Sequence, residues 1–428
     1  MAATGERPTI DPLPPVADLV LPWDGEVVDP IGALGEIRAA LGDTFVVDSG
    51  RDRYLFLFST EGLRSFYAVE EAAASKGVAD WRMLRRKVPD ELFSGRRTYP
   101  HELFRKDDTA TLLGCIDAVL DREIDVLPAA GELDLFDWTR ALGHRFGLVA
   151  WAGLAPDDPR HEPLITALDV LDGAAAFVDP AAMAAVAASG YATERAALTR
   201  CEELLADGLD ADVGAGRGLL PRLAAPWADE PDDVRIEGIA RDVVLVHLGS
   251  MSNLFAALGW AIADLVGQPE VVERLRAGED GLAERAAEES VRLAQRSIML
   301  RHVLQPVELE VAPGDVVSVE PGATLATLLP LTNTTAGPDL DVYDPDRWRG
   351  RRLARPELEA REAVATFGHG PHHCPAQPFS LAAMARTLRR VVDRWDLALP
   401  EGRPTPRAGQ IGGIARPASP ARLVLQPR

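Results

Sequence analysis

Cys374 stands in Phe367-Gly368-His369-Gly370-Pro371-His372-His373-Cys374-Pro375-Ala376, ahead of a helical pattern from Phe379 to Trp395. A cysteine at a helix entrance is biased toward thiolate, because a helix N-terminus favours negative charge. A thiolate on such a loop suits haem iron, where as axial ligand it pushes electron density toward the opposite face. Gly368 and Gly370 permit a tight turn and a close approach to a flat macrocycle. Pro375 suits a first helical turn, where a missing N–H is harmless. Ala376 keeps the helix entrance thin, and His372 can donate to a haem propionate. Two other readings stay open on these residues. Cys374 can be an ordinary buried cysteine. His369, His372, His373 and Cys374 can bind zinc, although four donors within six residues strain a tetrahedron and structural zinc sites draw on two separated pairs.

Upstream, Glu289-Ser290-Val291-Arg292 sets a carboxylate and a guanidinium on one helix face. Asp344-Pro345-Asp346-Arg347-Trp348 lies between that pair and the cysteine. The cysteine loop agrees at five defined positions with the pattern Phe-x-x-Gly-x-(Arg or His)-x-Cys-x-(Gly or Ala), and on this motif and order the chain resembles the cytochrome P-450 superfamily. The resemblance implies a mainly α fold with small peripheral β-sheets, the cytochrome P-450 fold, over nearly the whole chain. It implies haem b with Cys374 as the iron ligand and Phe367 and Gly368 in its loop. It also implies His372 and Arg301 at the propionates, and a Glu289–Arg292–Arg347 cluster that locks the segment carrying the cysteine. A carboxylate buried between two guanidiniums is costly unless fully bonded. For the propionate partners supplied by the early helices, His101, Arg105 and Lys106 are the candidates.

Arg235–Val266 is the longest apolar helical pattern and, by the resemblance, crosses the distal face of the haem. Most members carry Ala-Gly-x-(Asp or Glu)-Thr there, an acid and an alcohol that organise water and deliver protons. This chain reads Gly249-Ser250-Met251-Ser252-Asn253. With Trp260 as register mark, Ser252 takes the place of the acid and Asn253 that of the threonine. His247 and Asp242 lie upstream and can substitute only through a longer relay. Asn253 followed by Trp260 is similar to the distal helix of prostacyclin synthase, a peroxide isomerase, and of cholesterol 7α-hydroxylase, a monooxygenase. An amide can donate or accept but does not titrate. Two enzyme readings follow, with Asn253, Ser252 and Cys374 as the catalytic residues. One is a monooxygenase of specialised metabolism acting on a small, largely apolar molecule and fed by ferredoxin and its reductase. The other cleaves or rearranges a pre-oxidised substrate such as a hydroperoxide, an endoperoxide or an N-oxygenated amine. A non-catalytic haem sensor or carrier is a third reading.

The rest of the chain must position these groups. Thr44–Asp48 and Arg53–Phe58 read as a hairpin. Helical patterns cover Thr60–Ala73, Ala110–Val126, Asp137–Leu148, Pro163–Ala175, Ala181–Ala206, Pro269–Ala277 and Gly281–Arg301. Strands are expected near Val307–Val311 and Val316–Val319, an irregular stretch from Ala336 to Pro356, and a hairpin over Gln410–Leu425 with Gly412 and Gly413 at its tip. No linker breaks the chain, so residues 1–428 read as one domain. Cys115, Cys201 and Cys374 are too few and scattered for a disulfide framework, which points to a reduced, cytoplasmic setting. Met1–Val20 reads as neither a signal peptide nor a membrane anchor, and the chain is expected to be a soluble monomer. Three of the 45 basic residues are lysine, a bias of GC-rich, bacterial-type genomes.

A net charge of −21 argues against nucleic acid as a partner. Yet Pro345–Arg428 holds 15 arginines against 7 acids, a net +8. Arg347, Arg349, Arg351, Arg352, Arg355, Arg386, Arg389, Arg390 and Arg394 flank the cysteine loop. They read either as a solvated surface or as a dock for an acidic electron donor.

Overall fold

The computed structural model describes residues 7–98, 103–105, 108–173, 180–350, 358, 360–370 and 373–428. His101, Lys106, His372, Arg351, Arg352 and Arg355 lie outside them. Among the described residues helices dominate, with three small sheets at the periphery, as expected.

The hairpin forms as Thr44–Ser49 against Asp52–Leu57, with Ser49 opposite Asp52. That register leaves a two-residue turn, and Gly50 takes φ 58° in it. These strands belong to a six-stranded sheet completed by Val16–Ala17, Thr324–Leu328, Ile298–Val303 and Ala74–Ser75. The pattern expected as one helix over Gly281–Arg301 is therefore two elements. Helix Leu282–Leu293 stops, and strand Ile298–Val303 carries Arg301. The expected helix over Ala181–Ala206 also breaks, into Pro180–Ala188 and Ala192–Ala206, because Gly190 and Tyr191 take φ 63° and 59°. The C-terminal segment does fold back around Gly412 and Gly413, with Pro406 opposite Pro417 and the Arg407 amide donating to the Arg416 carbonyl (2.8 Å), but the self-pairing ends there and does not reach Leu425. Arg422–Pro427 pairs with Trp395–Ala398 and with Gly131–Asp134, so residues 410–416 are left as a loop against the core.

Helix Asp232–Val266 runs 35 residues through the main core. It is long and apolar enough to cross a membrane, but 72% of its apolar window is buried inside the fold. Helix Leu135–Ala150 packs on it at close range. A Cβ at Gly147 would lie 2.6 Å from His247 and Met251, and one at Gly143 would lie 2.6 Å from Phe255.

The last long helix, Gln377–Arg394, is stitched to helix Asp108–Asp125 by a charge ladder. Arg386 pairs with Asp117, Arg390 with Asp117 and Asp121 (3.0 and 3.1 Å), and Arg394 with Asp125 (2.9 Å). Both rows repeat every four residues, which puts each on one helix face. Arg389 pairs with Glu284 at 3.5 Å. The arginines of this helix thus have carboxylate partners within the chain, and their charge is largely neutralised. Exposed pairs of this kind contribute little stability individually.

Candidate functional site

The cysteine loop is shaped by its glycines and its own backbone. Gly368 and Gly370 take φ 80° and 63°, conformations that disfavour other residues. The Cys374 amide donates to the Phe367 carbonyl (2.8 Å), closing the turn. The Cys374 carbonyl accepts from Gln377 N at the helix entrance (3.2 Å). The helix begins at Gln377, so Pro375 lies in the turn before it and Pro378 occupies its first turn. His369 donates through Nε2 to the Val364 carbonyl (2.9 Å) and meets Tyr67 edge-on. It holds the loop. Among the described residues, no group of three or more His, Cys, Asp or Glu could hold a metal ion.

Burial pushes the Cys374 thiol up, against the opposing amides of Ala376 and Gln377 and the Lys76 charge. The amide contribution anticipated from the helix entrance is therefore present but outweighed by desolvation. Without a cation the thiol form is favoured; a coordinated metal deprotonates such a thiol.

Beneath the loop, Glu289 is fully buried and fully bonded. Its Oε1 accepts from Arg292 Nη2 (2.7 Å), Arg347 Nε (2.8 Å) and the Asp344 amide (3.0 Å). Its Oε2 accepts from Arg292 Nε and Trp348 Nε1, both at 2.9 Å. Arg292 also donates to the Asn333 carbonyl (2.6 Å), and Arg347 to the Val342 carbonyl (2.9 Å). The expected three-residue cluster is present and larger than expected. Trp348 joins it, and Asn333 extends it to the cysteine segment by bonding both the amide and the carbonyl of Ala365 (2.8 and 2.9 Å). A short helix, Leu329–Thr335, supplies Asn333; no local pattern in the sequence marks it.

Glu288 faces the cysteine loop. Its Oε1 accepts from Thr366 Oγ1 (3.2 Å) and Gln377 Nε2 (3.4 Å). Burial pushes its carboxyl up to about 7, from an ordinary 4.5. Across that window the folded protein holds a proton that the unfolded chain has released, so this group makes stability fall as pH rises. The urea-unfolding free energy of Glu288→Gln should lack roughly 2–3 kcal/mol of the decline found in the unaltered protein between about pH 5 and about pH 8. Parallel pH profiles for the two proteins would contradict this.

A cavity of about 430 Å³ opens above the cysteine. Phe367, Gly368 and Cys374 form one wall, and Gly249, Ser250 and Asn253 of the long helix form another. A Cβ at Gly249 would meet nothing within 4 Å, so this wall is hollowed beyond what packing requires. Lys76 and Arg96 line the cavity as cations, and the sequence reading selected neither for the propionates. Lys76 also pairs with Asp80. The expected Arg105 does not line the cavity. It is exposed, and its amide donates to Asp108 (2.9 Å). Arg301 is buried on strand Ile298–Val303, with its side chain on the same face as the cavity-lining Met299. It is not itself part of the cavity lining; it donates to the carbonyls of Ala74 and Phe66, each at 2.8 Å, while its Nη2 makes no hydrogen bond and lies 3.9 Å from Glu71 Oε2. A buried guanidinium N–H left over in this way fits a carboxylate from outside the chain.

On the long helix, Asn253 lines the cavity but Ser252 does not. The Ser252 hydroxyl accepts from Arg416 Nη2 (2.7 Å), which corrects its expected place beside the reacting atoms. Ser250 is the hydroxyl at the wall, and it donates to the Val246 carbonyl (2.6 Å) and accepts from Trp151 Nε1 (3.0 Å). The longer relay is not wired to the cavity. His247 bonds His144 (2.9 Å) and Asp242 accepts from Trp227 (2.9 Å), and neither lines the wall. Among the described lining residues the titratable groups are Lys76, Arg96 and Cys374.

Comparisons agree with this architecture. The chain is similar to the solved structures of retinoic acid-bound cyanobacterial CYP120A1 and CYP175A1 from Thermus thermophillus. The TM-scores are 0.71 and 0.65 at 16% and 20% identity, over 97% and 93% of this chain and 100% and 95% of theirs. Among curated proteins it matches the cytochrome P450 monooxygenase gliF of Aspergillus fumigatus, 28% identical over 222 residues, 44% of each chain. It also matches human 24-hydroxycholesterol 7-alpha-hydroxylase, 20% identical over 209 residues, 43% of each. No family model matches. The fold is that of a cytochrome P-450, and over its matched segments the chain is similar to curated cytochrome P450 proteins. Its matched segments span less than half the length of these curated relatives.

That fold implies haem, and the residues present fit it. A lone thiol faces a hollowed helix wall across a cavity edged by cations, and the buried Arg301 keeps one nitrogen without a hydrogen bond.

Proposed function

We propose that the protein is a haem-thiolate oxidoreductase, first a monooxygenase of a small, largely apolar molecule in specialised metabolism. The observation that carries this reading is Cys374, presented by its glycine turn into a cavity walled by the long helix. Bound haem would supply the redox chemistry, taking up electrons and activating oxygen for insertion. The chain does the rest. Cys374 would ligate the iron, with Glu289, Arg292, Arg347 and Asn333 keeping its loop in place. Arg301, Lys76 and Arg96 would hold the propionates. Phe104, Val246, Leu254, Ala257 and Met299 give the cavity an apolar lining that excludes water and favours an apolar substrate.

A second reading, oxygen-independent cleavage or rearrangement of a pre-oxidised substrate, draws support from the absence of any carboxylate or imidazole among the described lining residues. Such a reaction needs no proton delivery to dioxygen. Electrons for the first reading would come from ferredoxin and its reductase. The neutralised ladder on the last helix argues that such a donor docks by contacts other than those arginines. We take residues 1–428 to act as one cytoplasmic, monomeric unit of bacterial type.

A turnover assay separates the two chemistries. Under the first, product forms only when reductant and dioxygen are both supplied. Conversion of a hydroperoxide or N-oxide by the ferric protein, with neither supplied, would overturn the first reading in favour of the second.

A further inference from the structure

Two consecutive residues of the long helix are fastened to one loop. Asn253 Oδ1 accepts from the amide of Ile414 (3.0 Å), and Ser252 Oγ accepts from Arg416 Nη2 (2.7 Å). The first bond settles which way the side-chain amide of Asn253 points. A backbone N–H only donates, so the atom it meets must be the amide oxygen. The NH₂ group is left for the cavity that Asn253 lines. A side chain that is two-faced in principle is thereby turned so that it offers the cavity its donor.

The loop is built to keep it so. A Cβ at Gly413 would lie 2.8 Å from Asn253 Oδ1, and Gly413 takes φ 65°, so the backbone reaches this close only as glycine. Gln410 braces the turn from inside. Its Nε2 donates to the carbonyls of Gly412 and Ile414, both at 2.9 Å, and its Oε1 accepts from the Arg416 amide (2.6 Å). Arg296 donates to the Gln410 carbonyl (2.7 Å). Arg416 closes the far end. Its Nη2 also bonds Asp172 Oδ2 (3.0 Å), and its guanidinium lies over the Phe255 ring at 4.4 Å. It thus ties the loop to the long helix and to the end of helix His161–Asp172.

We infer that Asn253 is a fixed hydrogen-bond donor to the reacting region, with Arg416 as the positioning residue that holds it through the loop. The site therefore selects ligands that present an acceptor oxygen or nitrogen next to the reacting atom over ligands that must donate there. Peroxides, N-oxides, ethers and carbonyls are the chemical classes that meet this requirement. The inference rests on the haem-thiolate reading and specifies which polar contact that site offers.

Carbon monoxide bound to the reduced, haem-loaded protein is the probe, read by the infrared C–O stretch. A donor N–H directed at the bound oxygen lowers that frequency. The unaltered protein should absorb below both Asn253→Leu, which removes the amide, and Asn253→Asp, which can still accept from Ile414 but has no NH₂. Arg416→Gln should broaden or split the band, because the donor is no longer held in one place, and Arg416→Lys should restore it in part. Binding of pyridine N-oxide, an acceptor with no donor, should weaken roughly 2- to 10-fold in Asn253→Leu, the worth of one hydrogen bond. The same C–O frequency in the unaltered protein and Asn253→Leu, with unchanged N-oxide affinity, overturns the donor. An unshifted, unbroadened band in Arg416→Gln overturns the positioning role. If that variant does not fold, Arg416→Lys decides, by a band shifted or left alone. In all these cases the strongly red-shifted Soret band of a thiolate–carbon monoxide complex remains and the haem-thiolate reading survives. Loss of that band in the unaltered protein would instead defeat the reading itself, and the inference with it.

Discussion

Glu289→Ala should yield little folded, haem-loaded protein. The substitution strands the guanidiniums of Arg292 and Arg347, Trp348 Nε1 and the Asp344 amide in a site that is buried to within a few per cent. Removing one partner of a buried ionic network costs about 3–5 kcal/mol, against a typical total stability of about 5–15 kcal/mol. The loss should appear as a lower urea midpoint and a lower haem content per chain. Arg292→Ala should do the same, since it leaves the Glu289 carboxylate short of two donors and the Asn333 carbonyl without its guanidinium partner. Unchanged midpoints and haem content in both variants would contradict a structural role for the cluster.

This cluster also shows how far the sequence could be read. Glu289 and Arg292 share a helix face by spacing alone, and Arg347 was placed by the order of motifs. The participation of Trp348 and Asn333 depends on chain segments more than 40 residues apart meeting in space, and local patterns carry no information about that. The long helix was legible because 35 residues hold one period. Strand Thr324–Leu328 was not, because it is buried on both faces and reads as a short apolar run without alternation. Ser252 was assigned by register along the helix. Its true environment is set by Arg416, 164 residues away, which draws the hydroxyl off the cavity. The arginines of the last helix looked like a free basic surface for the same reason. The acidic partners of Arg386, Arg390 and Arg394 sit on helix Asp108–Asp125, 269 residues upstream, and that of Arg389 on helix Leu282–Leu293.

Cys374→Ala should abolish thiolate ligation while sparing the fold. Cys374 is partly buried in the cavity wall, and its side chain takes no part in the Glu289 network. The variant therefore removes a small group without stranding a charge. Cys374→Ser keeps the size and offers a weaker oxygen ligand, so it should retain some haem with altered ligation. A normal unfolding midpoint together with altered haem spectra would separate the ligand's role from the loop's role in stability.

The central claim is that Cys374 supplies the axial ligand in the cavity beneath the long helix. The most direct test is the absorption spectrum of the reduced protein under carbon monoxide, recorded for the unaltered chain and for Cys374→Ala at equal protein concentration. The unaltered chain should show the strongly red-shifted Soret band of thiolate ligation, and Cys374→Ala should lack it. The same red-shifted band in Cys374→Ala, at equal intensity, would contradict the account.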